Sequence, residues 1–133
     1  MGETDDLDDA YRFRTPSLRN VELTAPYGHN GAYTTLEGIV RHHLNPHYAL
    51  DSWHRQMATL PKAKWLEKID FAVWDDRLEM ARYRTKSDIK PRELADDDIA
   101  ALVAFLHSLT GKTASNPPFG IPATVPSGLP VDK

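Results

Sequence analysis

The sequence predicts an all-α domain, on three observations. TLEGIVRHHL (residues 35–44) and DDDIAALVAFLHSL (96–109) place apolar residues at the 3, 4 and 7 spacing of a buried helical stripe. Alternating strand patterns are sparse. The final stretch, NPPFGIPATVPSGLPVDK, holds half of the ten prolines and has no helical period, so it reads as an irregular extended tail. Three parts follow: an acidic flexible N-terminus (1–10), a helical body (11–111) and a Pro-rich tail (112–133).

YRFRTPSLRNV, from Tyr11 to Val21, has the look of an extended segment, because Pro16 restricts Thr15 and favours one helical turn at Ser17–Asn20. TAPYGHNG is a loop, punctuated by Pro26, Gly28, Asn30 and Gly31. Thr34 with Glu37 makes a capping-box pattern, and Leu36, Ile39, Val40 and His43 or Leu44 share one helix face. Asn45-Pro46 ends that helix. A second helix is expected over 47–57, with Tyr48, Leu50, Trp53 and Met57 as contacts. Residues 62–84 read as one or two short helices with irregular joins. The last helix, within 95–111, has Asp96–Asp98 at the positive end of its dipole and Ile99, Leu102, Val103, Leu106 and Leu109 as its stripe. Gly111 suits the residue just past its end.

Composition narrows the function. With 133 residues, 41% hydrophobic and 26% charged, the chain has the make-up of one ordinary globular domain. A net charge of −3 argues against nucleic acid as a partner, since phosphates demand a basic face. No apolar run is long enough to span a bilayer. The start, MGETDDLDDAYRFR, lacks the basic and apolar regions of a secretory signal. There is no cysteine, which excludes disulfides, thiolate catalysis, cysteine-ligated metals and covalent haem attachment through C-x-x-C-H.

Histidine is the remaining source of chemistry. Three of the six histidines lie within Thr24–Leu44, and His42 and His43 are adjacent on a predicted helix. His43 and His47 have the i, i+4 spacing of a zinc pair, but Pro46 lies between them and no H-E-x-x-H frame is present. No serine sits in a G-x-S-x-G elbow, and no glycine-rich phosphate loop appears. His54 and His107 read as solvated helix positions, and Trp53, Trp65 and Trp74 as core or rim packing.

Two ordered blocks carry more information than any of these short motifs. FRTPSLRNVELTAPYGHNGAYTTLEGIVRHH, followed at a distance by LADDDIAALVAFLHSLTG, resembles the C-terminal half of the second haem domain of bacterial di-haem cytochrome c peroxidases and the MauG-like oxidases. The matching pattern is F-[RK]-[TV]-P-[ST]-L-R-N, then L-T-x-P-Y-x-H-[DN]-G, a T-L-E helix, and a closing A-F-L-x-[ST]-L helix. It covers about residues 11–44 and 93–111. The resemblance implies a cytochrome c-like fold and a periplasmic location.

It also gives residues roles. In that family the T-L-E helix presents a Met or Tyr to the distal side of the second haem, and the position falls on His43. An imidazole there makes a bis-histidine haem if the proximal ligand is also histidine, which lowers the reduction potential relative to a thioether. The competing role for His43 is a cap at the helix C-terminus, where positive charge is favoured. His42 stands about 100° around the helix and is assigned to the surface or to a supporting hydrogen bond. His29, in P-Y-G-H-N-G, orders the loop and lines the pocket near the haem edge, or is a plain surface residue. Arg19 and Asn20 belong to the L-R-N motif, which the resemblance places among the cofactor-binding residues, and Arg19 suits a haem propionate or a neighbouring acid.

The attachment motif, which precedes the F-R-T-P block in the family, is not in this sequence. The expectation is therefore a fragment, a split subunit or a haem-free relic, with haem c attached through another segment or chain. A complementary haem-bearing segment and a small electron-donor protein are the expected partners. Peroxide chemistry is credited to the family's other haem. The function expected here is electron transfer by a haem-domain segment, against a haem-free helical interaction module.

Overall fold

A computed structural model of the chain describes residues 7–60, 63–116, 122 and 124–129. Among the described residues it is all-α: α1 (Leu36–Leu44), α2 (Pro46–Ser52), α3 (Ala72–Asp75), α4 (Arg77–Lys86) and α5 (Asp96–Ser108), with single 3₁₀ turns at Leu7–Asp9, Val21–Leu23 and Arg55–Met57. One isolated bridge pairs Tyr27 with Tyr33. No helix among the described residues is long and apolar enough to cross a membrane. Of the expected flexible N-terminus, residues 1–6 lie outside the described residues, as do 117–121, 123 and 130–133 of the expected Pro-rich tail. The described part of the tail has turns and irregular backbone and no helix or strand.

The loop ahead of α1 is built from its turn residues. Tyr27 and Tyr33 exchange backbone hydrogen bonds of 2.6 and 3.2 Å, closing the loop. Gly31 takes φ +71°, and a Cβ there would meet Pro26 Cγ at 2.9 Å. α1 then starts one residue later than the capping-box pattern indicates. Thr35, not Thr34, caps it, accepting from the Gly38 N–H at 3.1 Å. Glu37 is thereby too early to reach back to the cap. It pairs instead with Arg41 at 2.7 Å, one helical turn on.

α1 ends where Pro46 requires, and Asn45 serves both helices. Its side chain accepts from the Tyr48 N–H at 3.0 Å, with Pro46 at the first position of α2. α2 is shorter than the expected 47–57, because Trp53 and His54 are extended before the Arg55–Met57 turn. α3 and α4 fill the irregular region, and α4 starts on Asp76, whose carboxylate accepts from the Leu78 and Glu79 N–H groups. Arg84 of α4 pairs with Asp51 of α2, and Arg55 with Asp75.

The core sits where α5 crosses α1. Tyr27, Tyr33 and Leu36 form a buried cluster, flanked by Val21, Ile39, Trp53, Val103 and Leu106, with Ile99 the most buried residue at 3% exposure. Of the predicted α5 stripe, Ile99, Val103, Leu106 and Leu109 are buried or partly buried and Leu102 is exposed, as is Phe105 outside the stripe. Trp53 packs in the core and Trp74 against it, but Trp65 is 75% exposed.

The L-R-N segment is tied to the end of α5. The Asn20 N–H donates to Leu109 O at 3.2 Å, and its Oδ1 accepts from the Gly111 N–H at 2.8 Å. Asn20 adopts φ 59°, so the expected turn at Ser17–Asn20 gives way to one at Val21–Leu23. Gly111 lies beyond the end of α5 and is absent from the positive-φ residues, so it holds Asn20 rather than terminating the helix. Glu22 accepts from Thr110 Oγ1 at 2.7 Å and pairs with His107 at 2.7 Å, and His107 is the exposed helix position expected, with this added partner. The Thr110 and His107 hydrogen bonds hold the Glu22 carboxyl below its ordinary value.

Gly31→Ala should destabilise the chain by roughly 1–3 kcal/mol, the usual range for strained backbone. Gly111→Ala, whose Cβ meets only Asn20 Oδ1 at 3.5 Å, should fall within about 0.5 kcal/mol of the parent. Urea denaturation monitored by circular dichroism gives both values.

Candidate functional site

The two histidines that the sequence singles out occupy the last turn of α1 and have different surroundings. His43 is exposed, and its Nδ1 lies 2.9 Å from Ile39 O. A carbonyl only accepts, so Nδ1 carries the proton and Nε2 keeps its lone pair. This is the tautomer that leaves Nε2 able to bind a metal. His42 is half-buried, and its Nδ1 lies 3.0 Å from the Tyr33 hydroxyl. It is thus the supporting residue of the two, with its ring edge-on to that of His43 at 5.5 Å and 82°.

Helical geometry places His43 relative to α5. A groove of about 390 Å³ runs along one flank of the α1–α5 seam, lined by Glu37 and Arg41 on α1 and by Ala100, Ala104 and His107 on α5. His43 stands two residues beyond Arg41, about 160° around the helix, and is not among the residues that line this groove.

The remaining predicted residues are not gathered at one point. Arg19 is exposed, and its guanidinium makes no ion pair among the described residues. Asn20 has its side-chain carbonyl occupied by Gly111, which makes it a structural tie between the L-R-N segment and α5. His29 is exposed and stacks on Phe13, with ring centroids 3.9 Å apart and planes at 29°. That stack holds the P-Y-G-H-N-G loop against the F-R-T-P segment. His43 and His47 are on separate helices, and no group of three metal-ligating side chains occurs among the described residues.

Sequence reasoning missed Tyr33. Its hydroxyl is the group that fixes His42, yet Tyr33 reads only as an aromatic in a loop. The Tyr33 hydroxyl is raised above its ordinary value by burial. Phe13 was quoted within a motif without a role of its own; its partner is sixteen residues away, beyond any local periodicity.

Burial, and after it the neighbouring His43, lower the His42 pKa from its ordinary 6.5. Below that value the unfolded chain binds the proton more readily than the folded one. The stability His42 contributes is therefore fully present above pH 6.5 and is lost as pH falls below it. Ring-proton NMR should find His42 titrating below 6.5, and a His42→Gln variant should lose part of the slope of stability against pH in that window.

Comparison with known proteins agrees with the motif reading. The chain is 34% identical over 102 residues to the methylamine utilization protein MauG of Paracoccus denitrificans, covering 76% of this chain and 23% of that protein. It is 31% identical over 111 residues to the cytochrome c peroxidase Ccp of Escherichia coli, covering 84% of this chain and 15% of that protein. A shorter match, 56% over 32 residues, joins 24% of the chain to 8% of the cytochrome-c peroxidase IdrP1 of a Pseudomonas species. The chain thus spans less than a quarter of the length of these curated relatives. No family model and no solved structure matches it. Taken with the ordered F-R-T-P, P-Y-G-H-N-G and T-L-E blocks and the all-α architecture, these matches establish that the chain belongs to the MauG/cytochrome c peroxidase-like family.

Proposed function

We propose that this chain is an electron-transfer haem-domain segment that supplies the distal side of a c-type haem, attached through C-x-x-C-H on another segment or chain. His43 is the iron ligand in this reading. The observation that carries it is the 2.9 Å contact between His43 Nδ1 and Ile39 O, which in the neutral ring leaves the lone pair on Nε2, on an exposed side chain. That arrangement fits an axial ligand, because the hydrogen bond at one ring nitrogen fixes the tautomer and orientation at the other.

The surroundings also suit a covered haem face. Leu102 and Phe105 are 41% and 55% exposed on the helix packed beside α1. Phe13, Leu18 and Leu23, on the segment that leads into the P-Y-G-H-N-G loop, are 62%, 50% and 48% exposed. A complementary haem-bearing segment would cover that surface. Arg19, free of ion pairs among the described residues, would bind a propionate, and the His29–Phe13 stack would border the haem edge. Asn20 acts indirectly, by holding the segment that carries Arg19.

The haem would supply one-electron redox chemistry. The chain's own contribution is to hold an imidazole at a defined orientation, exclude water with apolar side chains and neutralise a carboxylate. Two imidazoles leave no open coordination position, which favours electron transfer over peroxide activation. A periplasmic setting and a small electron-donor protein as partner belong to the same reading.

The exposed apolar surface also suits a haem-free interaction module, and one experiment separates the two. A haem-bearing C-x-x-C-H peptide carrying its own proximal histidine should bind the chain and give a low-spin bis-imidazole spectrum. His43→Ala should abolish that spectrum with circular dichroism unchanged. An unaltered spectrum in the variant, or no spectral change with the parent chain, would rule out His43 as the ligand.

A further inference from the structure

We propose that Tyr33 is a positioning residue for the His43 imidazole and acts through His42. This role rests on the reading of His43 as an iron ligand, and it adds a residue to which neither the motifs nor the relatives assign a part.

Tyr33 is among the most firmly held side chains of the chain. It is 8% exposed, and its backbone is bonded in both directions to Tyr27. Its ring lies against α1 at Gly38, where an added Cβ would stand 3.1 Å from Tyr33 Cδ1. From this fixed base the hydroxyl reaches His42 Nδ1 at 3.0 Å, and the two rings lie 5.2 Å apart. The His42 ring meets the His43 ring edge-on, at 5.5 Å and 82°. Ile39 O holds Nδ1 of His43 from the helix side.

His43 is therefore restrained at two places. The carbonyl fixes the proton-bearing nitrogen but still allows the ring to swing about that hydrogen bond. The flat face or edge of His42 limits the swing, and His42 holds its own orientation because its half-buried Nδ1 is satisfied by Tyr33. Removing the hydroxyl leaves a half-buried ring nitrogen unpaired, which favours a rotated His42 and releases the second restraint. The plane of an axial imidazole governs its π overlap with iron, so this restraint has an electronic consequence beyond packing.

The test uses the full chain with ¹³C-labelled histidine rings, first alone and then with the same haem-bearing C-x-x-C-H peptide. Two variants are compared, Tyr33→Phe and Tyr27→Phe. Tyr27 is equally buried and its hydroxyl bonds to Glu22 O at 3.2 Å, without contact to His42. The expected result has three parts: Tyr33→Phe lowers the order parameter of the His43 ring, shifts the low-spin EPR signal, and weakens peptide binding roughly three- to tenfold. Tyr27→Phe should leave ring order and EPR signal as in the parent.

An unchanged His43 ring and EPR signal in Tyr33→Phe would overturn the proposal, as would equal effects from Tyr27→Phe. If Tyr33→Phe fails to fold, His42→Ala makes the same comparison from the half-exposed side. Failure of the parent chain to bind the peptide overturns the ligand reading and this role with it. Binding by the parent with no response in the Tyr33 variant overturns this role alone.

Discussion

The reciprocal backbone hydrogen bonds between Tyr27 and Tyr33 fix a short loop whose two aromatic rings become the floor under α1. With those rings in place, Leu36 and Ile39 have a surface to bury against, and α5 closes over the other side through Ile99, Val103 and Leu106. The same loop supports the Trp53 indole, whose N–H donates to Ala32 O at 2.9 Å, so α2 is referred to it as well. Gly28 and Gly31 make the loop possible, since both take positive φ and Gly31 has no room for a side chain against Pro26. Orientation of the last turn of α1, and with it of His42 and His43, follows from this arrangement.

Much of that was legible in residue order. α5 announced itself through its stripe and its acidic first turn, and α1 through its apolar face and the Asn45-Pro46 stop. What failed were details decided by partners distant in sequence. Thr34 and Thr35 are equally good caps by composition, and packing of Leu36 into the tyrosine cluster selects Thr35. Gly111 has the composition of a helix stop, yet Asn20, 91 residues earlier, claims its N–H. His107 is exposed as its sequence position suggests, but its partner Glu22 arrives from the far end of the chain. Local propensity cannot encode such pairings, because they exist only once α5 and the L-R-N segment meet.

The site divides in the same manner. His43 was reached by counting along the T-L-E helix, a one-dimensional measure that survives any change in surroundings. Its distinction from His42 also came from the helix, since 100° per residue separates their directions. The role of Tyr33 was not reachable by either route, for a hydrogen bond from a loop onto a helix nine residues later has no periodic signature. The tie made by Asn20 was equally out of reach, since its side-chain carbonyl meets the Gly111 N–H only when the two ends of the helical body come together.

The choice between a haem ligand and a plain interaction surface turns on one lone pair. With Nδ1 committed to Ile39 O, Nε2 of His43 is an acceptor without a partner among the described residues. In water this costs nothing. A partner that buried this ring by apolar contact alone would strip Nε2 of its solvent and leave it unsatisfied, a penalty of about 1–3 kcal/mol. Any partner that buries Nε2 must therefore bring it a hydrogen-bond donor or a Lewis acid. That requirement is common to both readings, and they differ in what arrives: a Lewis acid in the haem reading, a donor from a haem-free partner.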